Sequence, residues 1–147
     1  MKIGIASYAY IDPYGYEKGL EGLKKHGYDC IDYNCDKFPN LVRTEHEIFS
    51  LSEWNFEKKL KEEREIYKNA GIFINQTHGP WRYPPRDDTK EDRDERFEKM
   101  AKAIRGTAYL GCENIVIHPL MPFGSHSDAE VQTQWNINLE FMGRLAE

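Results

Sequence analysis

Apolar residues fall along this chain in two alternating rhythms. Short runs in which every second residue is apolar are followed by longer stretches with apolar residues three and four apart. The first rhythm predicts strands and the second predicts amphipathic helices. The first strand is expected over Lys2–Ser7, with Ile3 and Ile5 on one side and Gly4 and Ala6 on the other. The first helix follows from about Tyr16 to His26, carrying Leu20 and Leu23 on one face. The second strand is Cys30–Tyr33. A long polar connection then runs from Asn34 to about Ser52, a length that suits a functional or a mobile loop. The second helix begins near Ser50 or Ser52, with Ser50 and Glu53 spaced as a capping box, and buries Phe56, Leu60, Ile66 and Tyr67. Its many Lys and Glu residues read as a solvated face.

The third strand is expected over Ile72–Thr77, and the third helix starts after Thr89, with Asp92 as cap partner. That helix places Phe97, Met100, Ala101, Ile104 and Ala108 at helical spacing. The fourth strand is Asn114–Ile117. The fourth helix, capped by Ser127 or Asp128, is expected to turn Val131, Trp135, Leu139, Met142 and Leu145 toward the core. Helix-ending glycines at Gly27, Gly71 and Gly111 fall 44 and 40 residues apart, the period of a repeated strand–helix unit. The resulting β-α-β-α-β-α-β-α order predicts a parallel sheet. Isoleucines on one side of a strand and small or polar residues on the other fit a barrel interior better than an open sheet covered on both faces.

Composition narrows the classes. The chain has 147 residues, enough for one domain with a core, and a net charge of −5 that gives no global attraction to nucleic acid or anionic membrane. No apolar run approaches the ~20 residues of a membrane helix, and Met1-Lys2-Ile3-Gly4-Ile5 leads straight into a strand, so a cytoplasmic location is expected. Cys30, Cys35 and Cys112 match no zinc spacing and read as free thiols, Cys30 and Cys112 at least partly buried.

The candidate chemistry sits at strand ends. His78 and His118 close the third and fourth strands, and in parallel α/β folds the C-terminal strand ends carry the ligand sites. The spacing of neighbouring strands predicts that their rings share one site mouth. They suit substrate hydrogen bonding; the alternative is that each fixes a loop turn beside its proline. Two histidines fall short of the three or four ligands of a zinc site. Asp32 holds the same position on the second strand and could orient His78, bind a hydroxyl or cap a loop. Gln76 shares His78's face and suits a structural hydrogen bond. Trp81 offers a face for a sugar's C–H surface, and Arg82 offers paired donors for a phosphate or carboxylate, unless the loop simply packs on its own aromatics. Tyr8, Tyr10 and Phe123 lie just past other strand ends and could line the same mouth. His26 and His46 read as structural.

The segments Gly27-Tyr28-Asp29-Cys30-Ile31-Asp32, Gln76-Thr77-His78-Gly79-Pro80 and Leu110–Pro119, in this order, resemble the xylose-isomerase-like TIM-barrel superfamily, which includes sugar-phosphate isomerases and epimerases and apurinic-site endonucleases. The resemblance implies an α/β fold of parallel (β/α) units: four strands and four helices forming the first half of a TIM barrel. Residues 1–147 would be a single partial (β/α)4 domain, truncated within the fourth helix. Where the family's second strand usually ends in glutamate, this chain has Asp32.

The resemblance further implies the N-terminal half of a sugar or sugar-phosphate isomerase/epimerase-like protein. His78, His118, Trp81, Asp32 and Arg82 would supply substrate contacts. The family's divalent metal (Mn, Zn or Mg) and its acid/base pair belong to the complete barrel, so no metal is expected for this chain alone, nor activity. The partner expected is a small sugar or sugar phosphate, together with self-association of the chain through its open strand edges. Two alternatives stay open: an apurinic-site endonuclease-like DNA-repair protein, which the acidic balance disfavours, and a non-catalytic half-barrel assembly module.

Overall fold

The computed structural model describes residues 2–37, 44–45, 47–81, 87–120 and 128–147. In chain order its strands are β1 (Gly4–Ala6), β2 (Cys30–Asn34), β3 (Asp36–Lys37), β4 (Thr44–Glu45), β5 (Phe73–His78) and β6 (Ile115–Val116). Its α-helices are α1 (Ile11–Lys25), α2 (Glu53–Asn69), α3 (Lys90–Tyr109) and α4 (Asp128–Leu145). Four strands pair in parallel in the order β1-β2-β5-β6, while β3 and β4 form a small antiparallel pair inside the long polar connection. The fold is thus α/β, four parallel strands with four helices, the layout of half a TIM barrel.

One sheet face is packed by helices. Ile31 and Tyr33 of β2 are buried against Leu23 of α1, Phe56, Leu60 and Tyr67 of α2, and Ala103 of α3. Burying one such large side chain contributes roughly 1.5–3 kcal/mol. A smaller cluster, Met100, Leu120 and Phe141, joins α3 to α4. Each of the first three helices ends at a glycine in the left-handed region, Gly27 (φ 78°), Gly71 (φ 71°) and Gly111 (φ 71°), where a side chain would be strained.

The other face carries Gly4 and Ala6 of β1, Cys30 and Asp32 of β2, and Gln76 and His78 of β5. Its composition depends on one irregularity. Ile31 pairs with Ile74, but Asp32 pairs with Gln76, so Asn75 is an extra residue in β5. Strict alternation would put His78 on the side of Ile74, in the helix-packed core. The bulge moves Gln76 and His78 to the face of Asp32 and leaves Thr77 in the core, where its hydroxyl bonds that of Thr107 at 2.7 Å.

Several expectations change. α1 begins at Ile11 with an extra first turn, set off from the expected helix by a kink at Gly15 (φ 69°, ψ 178°). Ser52 caps α2, accepting from the Asn55 amide; the Ser50 hydroxyl instead bonds the Glu47 carbonyl within a 3-10 turn, Glu47–Ser50. Thr89 and Asp92 form the expected cap of α3. Ile66 is 37% exposed, and Glu63 takes the buried position between Leu60 and Tyr67. In α3 the buried face runs through Arg96, Met100, Ala103, Gly106 and Thr107, with Ala108 exposed. In α4, Val131, Trp135 and Leu139 are 57–63% exposed; the core is met by Phe141 and Ile137 together with Met142 and Leu145, the two expected positions that do pack there. All three cysteines are free and buried. No helix among the described residues is long and apolar enough to cross a membrane.

Candidate functional site

The C-terminal ends of β2, β5 and β6 bring four of the five site residues read from the sequence into one cluster. His78 closes β5, and its Nδ1 lies 2.5 Å from Asp32 Oδ2 on β2. An ionised Asp32 accepts from Nδ1–H, which leaves the Nε2 lone pair as the free acceptor of His78. The His118 ring, just past β6, stands 5.3 Å from that of His78, inclined at 33°. Trp81 lies on the far side of His118, its ring 5.7 Å away and inclined at 37°. The result is a row of three rings, His78, His118 and Trp81, with a carboxylate at one end.

Local structure explains the row. The Gly79 amide donates to the Val116 carbonyl, extending the β5–β6 pairing one residue past His78. A Cβ on Gly79 would lie 2.5 Å from Met100 Sδ, so glycine lets the chain turn tightly over α3. The segment after His118 is clamped to α4 by Asn138, whose amide oxygen accepts from Leu120 N at 2.7 Å and whose amide nitrogen donates to Leu120 O at 3.0 Å.

Asp32 has a second consequence. Its Oδ1 is buried and has no hydrogen-bond partner among the described residues, although the residue lies beside an open groove lined by Lys2, Gly4, Ala6 and Gln76, about 380 Å³ in volume. An unsatisfied carboxylate oxygen favours a donor such as a hydroxyl. Gln76 lines the same groove on the sheet's open face.

Asn34 escaped the sequence reading, because the second strand runs one residue further than expected. It pairs in register with His78 and donates its side-chain amide to the Asp32 carbonyl at 3.1 Å. Its position two residues after Asp32, on the same strand face, was the available signal. Arg82 lies outside the described residues, as do Phe123 and His46. Tyr10 is turned away from the cluster, its hydroxyl 3.0 Å from His26 Nδ1 at the far end of α1.

No group of three or more His, Cys, Asp and Glu side chains among the described residues is placed to hold a metal ion. His78 Nδ1 is already committed to Asp32. The described residues therefore do not form a metal centre.

No protein-family model matches the sequence, and no curated protein matches it. Solved structures do. The chain is 20% identical to a D-tagatose 3-epimerase-like protein over 99% of its own length and 47% of that chain, with a TM-score of 0.65. A xylose isomerase domain protein from Alicyclobacillus acidocaldarius is 13% identical over 99% of this chain and 46% of its own, with a TM-score of 0.58. The IOLI protein with a bound zinc atom is 18% identical over 100% of this chain and 48% of its own, with a TM-score of 0.62. The fold is that of half of a TIM barrel. The chain spans about half the length of these half-matched barrels, and their likeness to it is one of fold.

Proposed function

We propose that this chain provides sugar contacts in an isomerase- or epimerase-like barrel. The observation that carries the reading is the row of His78, His118 and Trp81 rings beside the Asp32–His78 pair. The indole of Trp81 suits the C–H face of a pyranose or furanose ring. His78 Nε2 suits a hydroxyl on its edge, with the Asp32 carboxylate holding the ring from Nδ1. The names of the similar structures, an epimerase-like protein of tagatose and a xylose isomerase domain protein, support a sugar as the ligand. A sugar phosphate remains within the proposal, with Arg82 as the phosphate contact. His78 and His118 are offered as binding groups. The acid/base pair and the metal of the complete reaction are proposed to lie outside this chain.

Titration of the histidine and tryptophan side-chain NMR signals with D-tagatose, D-fructose and a ketose phosphate tests the proposal. Saturable shifts are expected at His78, His118 and Trp81, and loss of binding in His118→Ala and Trp81→Ala. Absence of shifts with all three sugars, or binding that survives both substitutions, overturns it. The same sugars incubated with the protein and Mn²⁺ or Zn²⁺ should stay unconverted. Turnover sensitive to a chelator would place the reacting groups within the chain.

A further inference from the structure

The part of β5 that carries His78 has no apolar residue to fix which way it faces. After Ile74 the strand reads Asn75-Gln76-Thr77-His78, four polar residues in a row. Register is strongly specified where an apolar set must reach the core, and weakly specified in strands that are polar on both sides. The extra residue at Asn75 adds to the problem, because simple alternation from Ile74 gives the wrong face for His78. Something other than the apolar pattern sets the direction of the ring.

Thr77 is the residue that turns inward. It is 0% exposed and sits between Gln76 and His78, which both face the open side of the sheet. A buried hydroxyl needs a partner. Thr77 Oγ1 lies 2.7 Å from Oγ1 of Thr107 on α3, itself buried. The one proton of the Thr107 hydroxyl goes to the Ala103 carbonyl, 2.8 Å away in the preceding turn of the helix. The Thr77 hydroxyl is therefore the donor, and the bonds run in one direction, from Thr77 to Thr107 to the helix backbone. Another acceptor in reach, the Asn114 carbonyl, is 3.5 Å away. It already accepts from the Thr77 amide at 2.9 Å and from the Cys112 thiol at 3.4 Å.

We propose that Thr107 is a positioning residue for the candidate site: by accepting from Thr77, it holds the end of β5 in the facing that turns the His78 ring to Asp32. Adjacent strand residues leave opposite faces. With Thr77 tied inward, His78 is directed outward, in register with Asn34 and with Nδ1 beside Asp32 Oδ2. Without the extra residue in the pairing, Asp32 would oppose Asn75, Thr77 would point to the open side, and His78 would enter the core, away from the carboxylate. The cost of burying Gln76 and His78 opposes that reversal. Loss of the tie is therefore expected to loosen the end of the strand and not to turn it over. The functional consequence rests on reading this cluster as a sugar site, but the position of the ring is measured without a sugar.

The ¹⁵N and ¹³C signals of the His78 ring test the inference. Thr107→Val keeps the shape of the side chain and leaves the Thr77 hydroxyl buried without its acceptor. The His78 signals of this variant are expected to broaden and to move from the Nδ1–H form toward Nε2–H. Its sugar binding is expected to weaken by about fivefold or more, the size of one lost hydrogen bond. Thr107→Ser, which keeps the hydroxyl, should retain the wild-type signals. So should the double variant Thr77→Val with Thr107→Val, because an apolar residue at 77 supplies the register marker that the strand lacks and no hydroxyl is left unpaired. That recovery separates positioning from a merely structural loss, which removal of a second hydroxyl would not repair. Thr107→Ala replaces Thr107→Val if the latter is poorly folded by circular dichroism. Wild-type ring signals in the folded single variant, or a double variant whose ring signals stay with those of the single one, overturn the inference. If the wild-type protein binds none of the sugars, the ring signals still decide the matter, and the reading that fails is the sugar site.

Discussion

Asp32 and Glu63 are two carboxylates with opposite situations. Glu63 is 5% exposed and fully engaged: it accepts from the Tyr33 hydroxyl at 2.7 Å and pairs with Lys59 at 3.2 Å. It belongs to the helix-packed core and holds α2 to β2. Asp32 is spent on one side only, with Oδ2 on His78 and Oδ1 buried without a partner among the described residues. Asp32→Ala should therefore change the imidazole of His78 more than the stability of the protein. The ¹⁵N shifts of His78 should report predominantly the Nδ1–H form in the wild type and a shift toward Nε2–H, the form favoured in water, in the variant. An unchanged tautomer ratio would show that Asp32 does not orient the ring. Asp32 and His78 were legible as strand-end polar residues. Glu63 was not, because its charge matched the solvated residues around it in the sequence, and only the tertiary approach of Tyr33 distinguishes it.

Elements were read well where a single face decides their burial, and poorly where the neighbouring element decides it. Phe56, Leu60 and Tyr67 point into the core of α2 as their spacing requires. In α3 the expected stripe is rotated toward Gly106 and Thr107. The cause is a close approach: a Cβ on Gly106 would lie 2.8 Å from Phe56 Cζ and 2.9 Å from Leu60 Cδ1. A glycine inside a helix carries no hydrophobic signal, so periodicity could not reveal the contact. Gly106→Ala should destabilise the protein by about 1–3 kcal/mol by overpacking this crossing, despite alanine's better helix propensity. The midpoint of urea unfolding checks it, and a stabilised variant would show that the crossing has room. In α4 the apolar rhythm was legible but its target was not, since Val131, Trp135 and Leu139 find no cover among the described residues.

At the scale of the whole molecule, the first two strand–helix units meet at a tyrosine-rich seam with a defined pH response. Burial first, and then the nearby Glu63 carboxylate, raise the phenols of Tyr16, Tyr33 and Tyr67 above their ordinary value of 10.0. A phenol raised in the folded state contributes stability that is intact below the unfolded value and is lost as pH rises beyond it, because the unfolded chain ionises first. Urea midpoints should hold steady to about pH 9 and fall steeply above about pH 10. Tyr33→Phe should be less stable at neutral pH, by about 1–3 kcal/mol for the lost partner of Glu63, yet lose less on going to alkali. Parallel pH curves for the two proteins would contradict this account. The extra residue at Asn75 has a consequence for how such chains are compared. Whether a histidine in β5 meets a ligand or the core depends on whether the count from Ile74 is odd or even. A gap-free alignment guided by apolar alternation would match His78 to a core position in a relative that lacks the insertion. The equivalent histidine there should be sought one residue earlier, at the place held here by Thr77.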